Sequence, residues 1–163
     1  RHLNLCLDAL EDLGVPWGSF PVHVALWMAV SKDDSLLDRI VIVHRYLEGS
    51  GLDASSTLLR RLAGVSSCKK AGLEAVRTIE RDELGHVCFG SRWYHCLVKE
   101  EGVDAREDFA CRLEKLFQRI PRRLEPIQRD LRLRAGFTEG EVATLEKLRH
   151  HLQTQSKDSP SLR

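Results

Sequence analysis

The chain has 163 residues, enough for one domain with a real core. Hydrophobic residues make up 42% and charged residues 30%, the balance of an ordinary soluble globular protein. A formal net charge of +1 excludes a global pull toward nucleic acid or anionic lipid, and the longest apolar runs, such as Ile40 to Val43, are far too short to span a membrane.

The elements read in chain order are almost all helical. Residues 1–13 place Leu3, Cys6, Leu7, Leu10 and Leu13 at helical spacing, and Gly14 is the stop. Val15 to Phe20 is a loop carrying Pro16 and Gly18. Pro21 opens a short helix through Met28. Asp33 or Asp34 caps the next helix, which runs to about Gly49. Its centre, Ile40-Val41-Ile42-Val43, is apolar all round and reads as a buried helix rather than a strand, given its flanks and length. Gly49-Ser50-Gly51 ends it, and Ser55 or Ser56 starts a short helix through Ala63. Ser66 or Ser67 begins the longest helix, which extends to about Glu101 and closes at Gly102. Asp104 to about Arg119 is a further helix, ended near Pro121. Pro126 breaks the following segment, and another helix precedes Gly136. Thr138 and Glu141 form a capping box for a last helix to about Leu152. One helical domain therefore spans 1–152, and the polar tail 153–163 reads as disordered.

The chain starts at Arg1, without a Met and inside a helical pattern, so it reads as a fragment or a processed product with no visible signal peptide. Five cysteines (Cys6, Cys68, Cys88, Cys96, Cys111) are an odd number without a C-x-x-C pair. That argues against a disulfide framework or a zinc finger and for a reducing intracellular, cytoplasmic setting, with most thiols as small core residues.

The chemistry concentrates on the longest helix. At about 100° per residue, Gly72, Val76, Ile79, Glu83, His86, Val87, Gly90, Tyr94 and Leu97 form one stripe. Glu83 and His86 interrupt this apolar face, where a charge is costly unless paired or bound to a metal. Their Glu-x-x-His spacing is the one by which helix bundles hold a metal pair. Glu48 is a second carboxylate on an apolar face, shared with Leu37, Val41 and His44. His44 is a candidate ligand, a partner of one, or simply a partly buried imidazole. His2 lines up with Cys6, Ala9 and Leu13 and also faces inward.

The run Arg81 to Tyr94, R-D-E-L-G-H-V-C-F-G-S-R-W-Y, resembles the signature of an uncharacterised ferritin-like family, the domain of unknown function four-five-five. That family's pattern is D-E-x-G-H-V-x-x-G-x-R-W followed by an aromatic. Arg45, Leu47, Glu48, Gly51, Leu52 and Asp53 match a second stretch. Arg1-His2-Leu3, Leu13-Gly14-Val15 and Arg134-Ala135-Gly136-Phe137-Thr138 match others. The chain departs at His44, where the family usually has proline, and at Gly49-Ser50, where it has Ala-Arg. The resemblance implies an all-α, ferritin-like four-helix bundle, partial because the first helix is missing, with extra C-terminal helices. Such bundles draw a Glu from each of two helices and a Glu-x-x-His pair from each of the other two. Glu48 would be the single carboxylate of the third helix, Glu83 and His86 the pair of the fourth, and His2 the imidazole of the second-helix pair.

Oxygen and nitrogen donors of this kind suit iron or manganese, and two ions are expected in the intact protein. The expected function is a metal-binding di-iron or di-manganese oxidoreductase acting on an unknown small molecule, in a chain that can form homo-oligomers. Tyr94 and Trp93 lie on or near the ligand face and read as packing residues, the alternative being a redox-active or channel-shaping role. The alternatives are a non-catalytic helical scaffold, or an RNA-associated protein with an incomplete metal site. The RNA reading rests on Arg119, Arg122, Arg123, Arg129, Arg132 and Arg134, set against only Glu125 and Asp130. The bland account of that cluster is a solvated helix face. A zinc-protease reading fails because the order is Glu-x-x-His, with no second histidine at the required spacing.

Overall fold

The computed structural model describes residues 1–22, 24–64, 70–121, 123 and 125–158, the side chains of Gln153 and of 155–158 excepted. Among these residues every regular element is helical and none is a strand. No helix among them is long and apolar enough to cross a membrane.

Helix α1 (His2–Leu13) closes where expected, at Gly14, whose φ of 71° brings its N–H back to the carbonyls of the last turn. The helix expected from Pro21 is shorter: only α2 (Ala25–Met28) forms. Val22 and Val24 are exposed, so no packing rewards the cost of ordering β-branched residues into a helix. The cap of α3 (Leu36–Ile40) is Ser35 rather than Asp33 or Asp34. Its Oγ accepts from the Asp38 N–H at 3.1 Å, and Asp38 Oδ2 accepts from the Ser35 N–H at 3.3 Å.

The chain then runs through a π-helical segment (Val41–Glu48) straight into α4 (Gly49–Ala63). The expected stop at Gly49-Ser50-Gly51 and the separate start at Ser55 or Ser56 are therefore absent. A helical glycine costs about 1 kcal/mol against alanine, which local packing overrides here. Ser50 Oγ donates to the Tyr46 carbonyl at 2.7 Å. A Cβ on Gly49 would collide with the Arg132 guanidinium, whose Nη1 donates to the Arg45 carbonyl at 2.7 Å. The glycine is a seat for that arginine rather than a helix end.

Helix α5 (Lys70–Glu100) packs antiparallel to this long helix, with His44 against Gly90 and Glu48 beside Glu83 and His86. Its expected start at Ser66 or Ser67 lies outside the described residues. Helix α6 (Ala105–Leu116) begins at Asp104, whose Oδ1 accepts from the N–H groups of Arg106 and Glu107. After α7 (Arg129–Arg134), α8 (Glu139–Asp158) opens on the expected Thr138–Glu141 box. It continues past Leu152 to Asp158, where a disordered tail was expected. Residues 159–163 lie outside the described residues. The core joins Val41, Ile42, Tyr46 and Leu52 to Val87 and Tyr94 of α5, Phe109 and Leu113 of α6, and Phe137, Val142 and Leu145 at the C-terminal end.

Charge, not only apolar contact, closes this core. Arg45 has no exposed side chain and pairs with Glu141 at 2.8 Å. Its guanidinium carbon stands 4.3, 4.5 and 4.2 Å from the ring centres of Tyr94, Phe109 and Phe137. Asp53, also fully buried, holds Arg132 at 2.6 Å and Arg149 at 3.3 Å. The expected arginine patch is therefore not one surface. Arg132 is buried, Arg119 pairs with Asp34, and Arg129 pairs with Glu139 and Glu146. Arg122 lies outside the described residues. The cysteines likewise differ from expectation: Cys6, Cys96 and Cys111 are exposed and Cys88 is half-buried. Cys68 lies outside the described residues.

Two predictions follow from the buried charges. Glu141→Gln leaves Arg45 uncompensated and is expected to cost about 3–5 kcal/mol, read as a lowered urea midpoint. A loss below about 1 kcal/mol would show that the aromatic cage alone supports the cation. The second concerns acid. Burial would raise the carboxyls of Glu141 and Asp38, but their ion pairs and hydrogen bonds outweigh it. His95 and Arg45 hold Glu141 at about 2, and Lys115, Arg112 and Ser35 hold Asp38 well below the usual carboxylate range. Both values are depressed on folding, so their stabilisation is complete above the unfolded values near 4 and is lost as pH falls toward 2. Urea midpoints are expected to fall between about pH 5 and pH 2, and less steeply in Asp38→Asn. A wild-type midpoint unchanged at about pH 3 would contradict this.

Candidate metal centre

Glu83 and His86 sit one turn apart on α5, and the helix itself brings them together: Glu83 Oε2 lies 3.2 Å from His86 Nδ1. The antiparallel π segment delivers Glu48 to the same place. Each of the three offers a ligand atom, and these atoms all lie within 4.8 Å of one another. His2, the first residue of α1, approaches Glu83 and His86 from a third element. Its Nδ1 is 3.4 Å from Glu83 Oε1, and its ring centre is 5.9 Å from that of His86. The four residues singled out in the sequence thus converge from elements far apart in the chain.

The two oxygens of Glu83 face different imidazoles, Oε2 toward His86 and Oε1 toward His2. Glu48 Oε2 is bonded to His44 Nδ1 at 2.7 Å. The burial is less than an apolar stripe implies. Side-chain exposure is 16% at Glu83 and 23% at Glu48, but 49% at His86. The reason is that this edge of α5 is left open: Phe89 and Trp93, along the helix from His86, are exposed as well. Tyr94, further along the stripe, is covered instead. It is buried against Phe109 and Arg45, and its hydroxyl donates to Asp108 Oδ2 at 2.7 Å. Burial and that carboxylate push its phenol far up, so it is a core residue, as the packing reading held.

Asp82 was not singled out in the sequence. Its Oδ2 lies 3.1 Å from His2 Nε2 and 3.2 Å from Arg1 Nη1. Slight desolvation would raise its carboxyl, but His2, Arg1 and Arg81 hold it below its ordinary value. Donating Nε2–H to Asp82 would leave Nδ1 of His2 as the nitrogen able to accept a cation beside Glu83. A carboxylate behind an imidazole is the usual device for orienting a histidine ligand. The available signal was the acidic residue adjoining Glu83.

The donor set is chemically suited to a cation. It offers carboxylate oxygens and imidazole nitrogens, the ligands of iron, manganese and zinc. Ligand bonds near 2.0–2.2 Å put two donors of one ion roughly 3 Å apart, so the present spacings need only small side-chain rotations.

The family model described as "Protein of unknown function (DUF455)" matches residues 1–143. An "Uncharacterized protein" of Haemophilus influenzae is 35% identical over 157 residues, which cover 96% of this chain and 53% of that protein. The chain thus spans about half the length of the curated relative it matches. No solved structure matches it. With most of its length inside the family model and a relative aligned along nearly all of it, the chain belongs to the family described as Protein of unknown function (DUF455).

Proposed function

We propose that this chain carries a ferritin-like metal centre, and that the protein is a di-iron or di-manganese oxidoreductase acting on a small molecule. One observation carries the reading: Glu48, Glu83, His86 and His2 meet from three separate helical elements. Glu83, with one oxygen toward each imidazole, would hold the metal together with His86 and His2. Glu48 adds negative charge from the facing helix. Asp82 fixes the ring of His2.

A redox metal in such a set supplies electron transfer or oxygen chemistry when bound. The residues themselves do the rest. The carboxylates balance cationic charge, and the half-exposed edge at His86 leaves a path for a small substrate. An open cleft beside it is lined by Arg1, His2, Leu3, Asp82 and His86. The ionic side chains at its mouth favour a polar substrate over an apolar one.

The test is metal content by mass spectrometry after anaerobic loading with Fe²⁺ or Mn²⁺ and desalting. Wild-type protein is expected to retain metal, and Glu83→Ala and His86→Ala to lose at least about 10-fold in affinity. Equal metal in all three proteins would remove the site. Loaded wild type should also melt higher than apo protein. A gain of about 2.7 kcal/mol is expected at a metal concentration 100 times Kd.

A further inference from the structure

We infer that His44 is a positioning residue that restricts Glu48 to binding metal through a single oxygen. This rests on the metal-site reading above. His44 Nδ1 lies 2.7 Å from Glu48 Oε2, a short contact of the kind made by charge-assisted hydrogen bonds. Both residues belong to the π-helical segment, four positions apart.

The imidazole is seated against α5. Its Cβ and Cγ occupy the space above Gly90 on α5, where any side chain would collide with them. The edge of the ring meets Phe89, at 5.9 Å between centres and 73° between planes. Helix α5 therefore seats the histidine, and the histidine in turn holds the carboxylate of the opposite helix. One lobe of Glu48 is spent on this bond, and the other oxygen is left for a cation. Glu83 differs, since each of its oxygens faces a separate imidazole. The two carboxylates thereby differ: Glu48 would offer a cation one oxygen and Glu83 both.

Co²⁺ is the probe, because its visible absorption reports the number and geometry of its ligands. The proteins are wild type, His44→Leu, which removes the donor at similar volume, and His44→Gln, which keeps an N–H donor. His86→Ala is the reference for a lost ligand. Circular dichroism melts of the apo proteins check that each variant is folded. His44→Leu is expected to bind Co²⁺ about 10-fold more weakly with a changed spectrum, and His44→Gln to recover most of both. If His44→Leu keeps wild-type affinity and spectrum while His86→Ala loses them, the positioning role falls and the metal site stands. If both His44 variants lose Co²⁺ as fully as His86→Ala, His44 is itself a ligand and the positioning role is overturned. If wild type binds no Co²⁺, the metal-site reading and this inference fall together.

Discussion

Arg45 is a full cation with no exposed side-chain surface, and the means by which it is neutralised tie the molecule together. A guanidinium in an apolar interior is tolerated only with a partner at close range. Glu141 is that partner, and it arrives from the first turn of α8. The same carboxylate accepts from the Thr138 backbone at the helix start and lies 3.1 Å from His95 of α5. One residue therefore caps α8, neutralises the π segment and contacts α5. Three aromatic faces from α5, α6 and the α7–α8 turn enclose the cation. A second set repeats the logic. Asp53 of α4 gathers Arg132 of α7 and Arg149 of α8. The C-terminal helices are thus attached by charge to the helix that carries Glu48.

That attachment has a geometric consequence for the proposed site. A π turn takes in an extra residue, and it survives only where the surroundings reward it. Here the surroundings include Arg132, which donates to the Arg45 carbonyl from the place where a Gly49 side chain would stand. On the other side, Gly90 lets His44 approach α5 closely. The register of the π segment, and with it the direction of Glu48, is held between two glycines that serve as seats for neighbouring side chains. Neither acts through backbone flexibility.

Much of this was legible in the sequence because it is local. The Glu83–His86 pair follows from helical spacing. Glu48 and His2 follow from the faces they share with apolar neighbours, strengthened by the family resemblance. The Thr138–Glu141 box was readable for the same reason. What escaped was long-range. Gly49 looks like a terminator until Arg132 is known to sit on it. The π segment continues an unbroken apolar run from Ile40 through Val43, so periodicity there carries no information about its pitch. The arginines of 119–134 look like one basic face, but their partners Asp34, Asp53 and Glu146 lie elsewhere in the chain. Asp82 was hidden by adjacency, since a second acidic residue beside Glu83 reads as ordinary surface charge.

The lone pairs of the carboxylates separate architecture from chemistry. Asp53 accepts from the Gln128 backbone, from two nitrogens of Arg132 and from Arg149. Asp38 accepts from Ser35, Arg112 and Lys115, and Glu141 from Arg45 and Thr138. Each is buried, saturated with donors and surrounded by positive charge, so a cation could enter only by displacing a guanidinium or an ammonium. Glu48 and Glu83 are different. They are half-buried, imidazoles lie against them, and among the described residues no arginine or lysine pairs with them. An imidazole is itself a metal ligand when neutral, so it can stay in the set when a cation arrives. The buried carboxylates are thus committed to guanidinium and ammonium partners, whereas Glu48 and Glu83 keep histidine neighbours, the arrangement the proposed site requires.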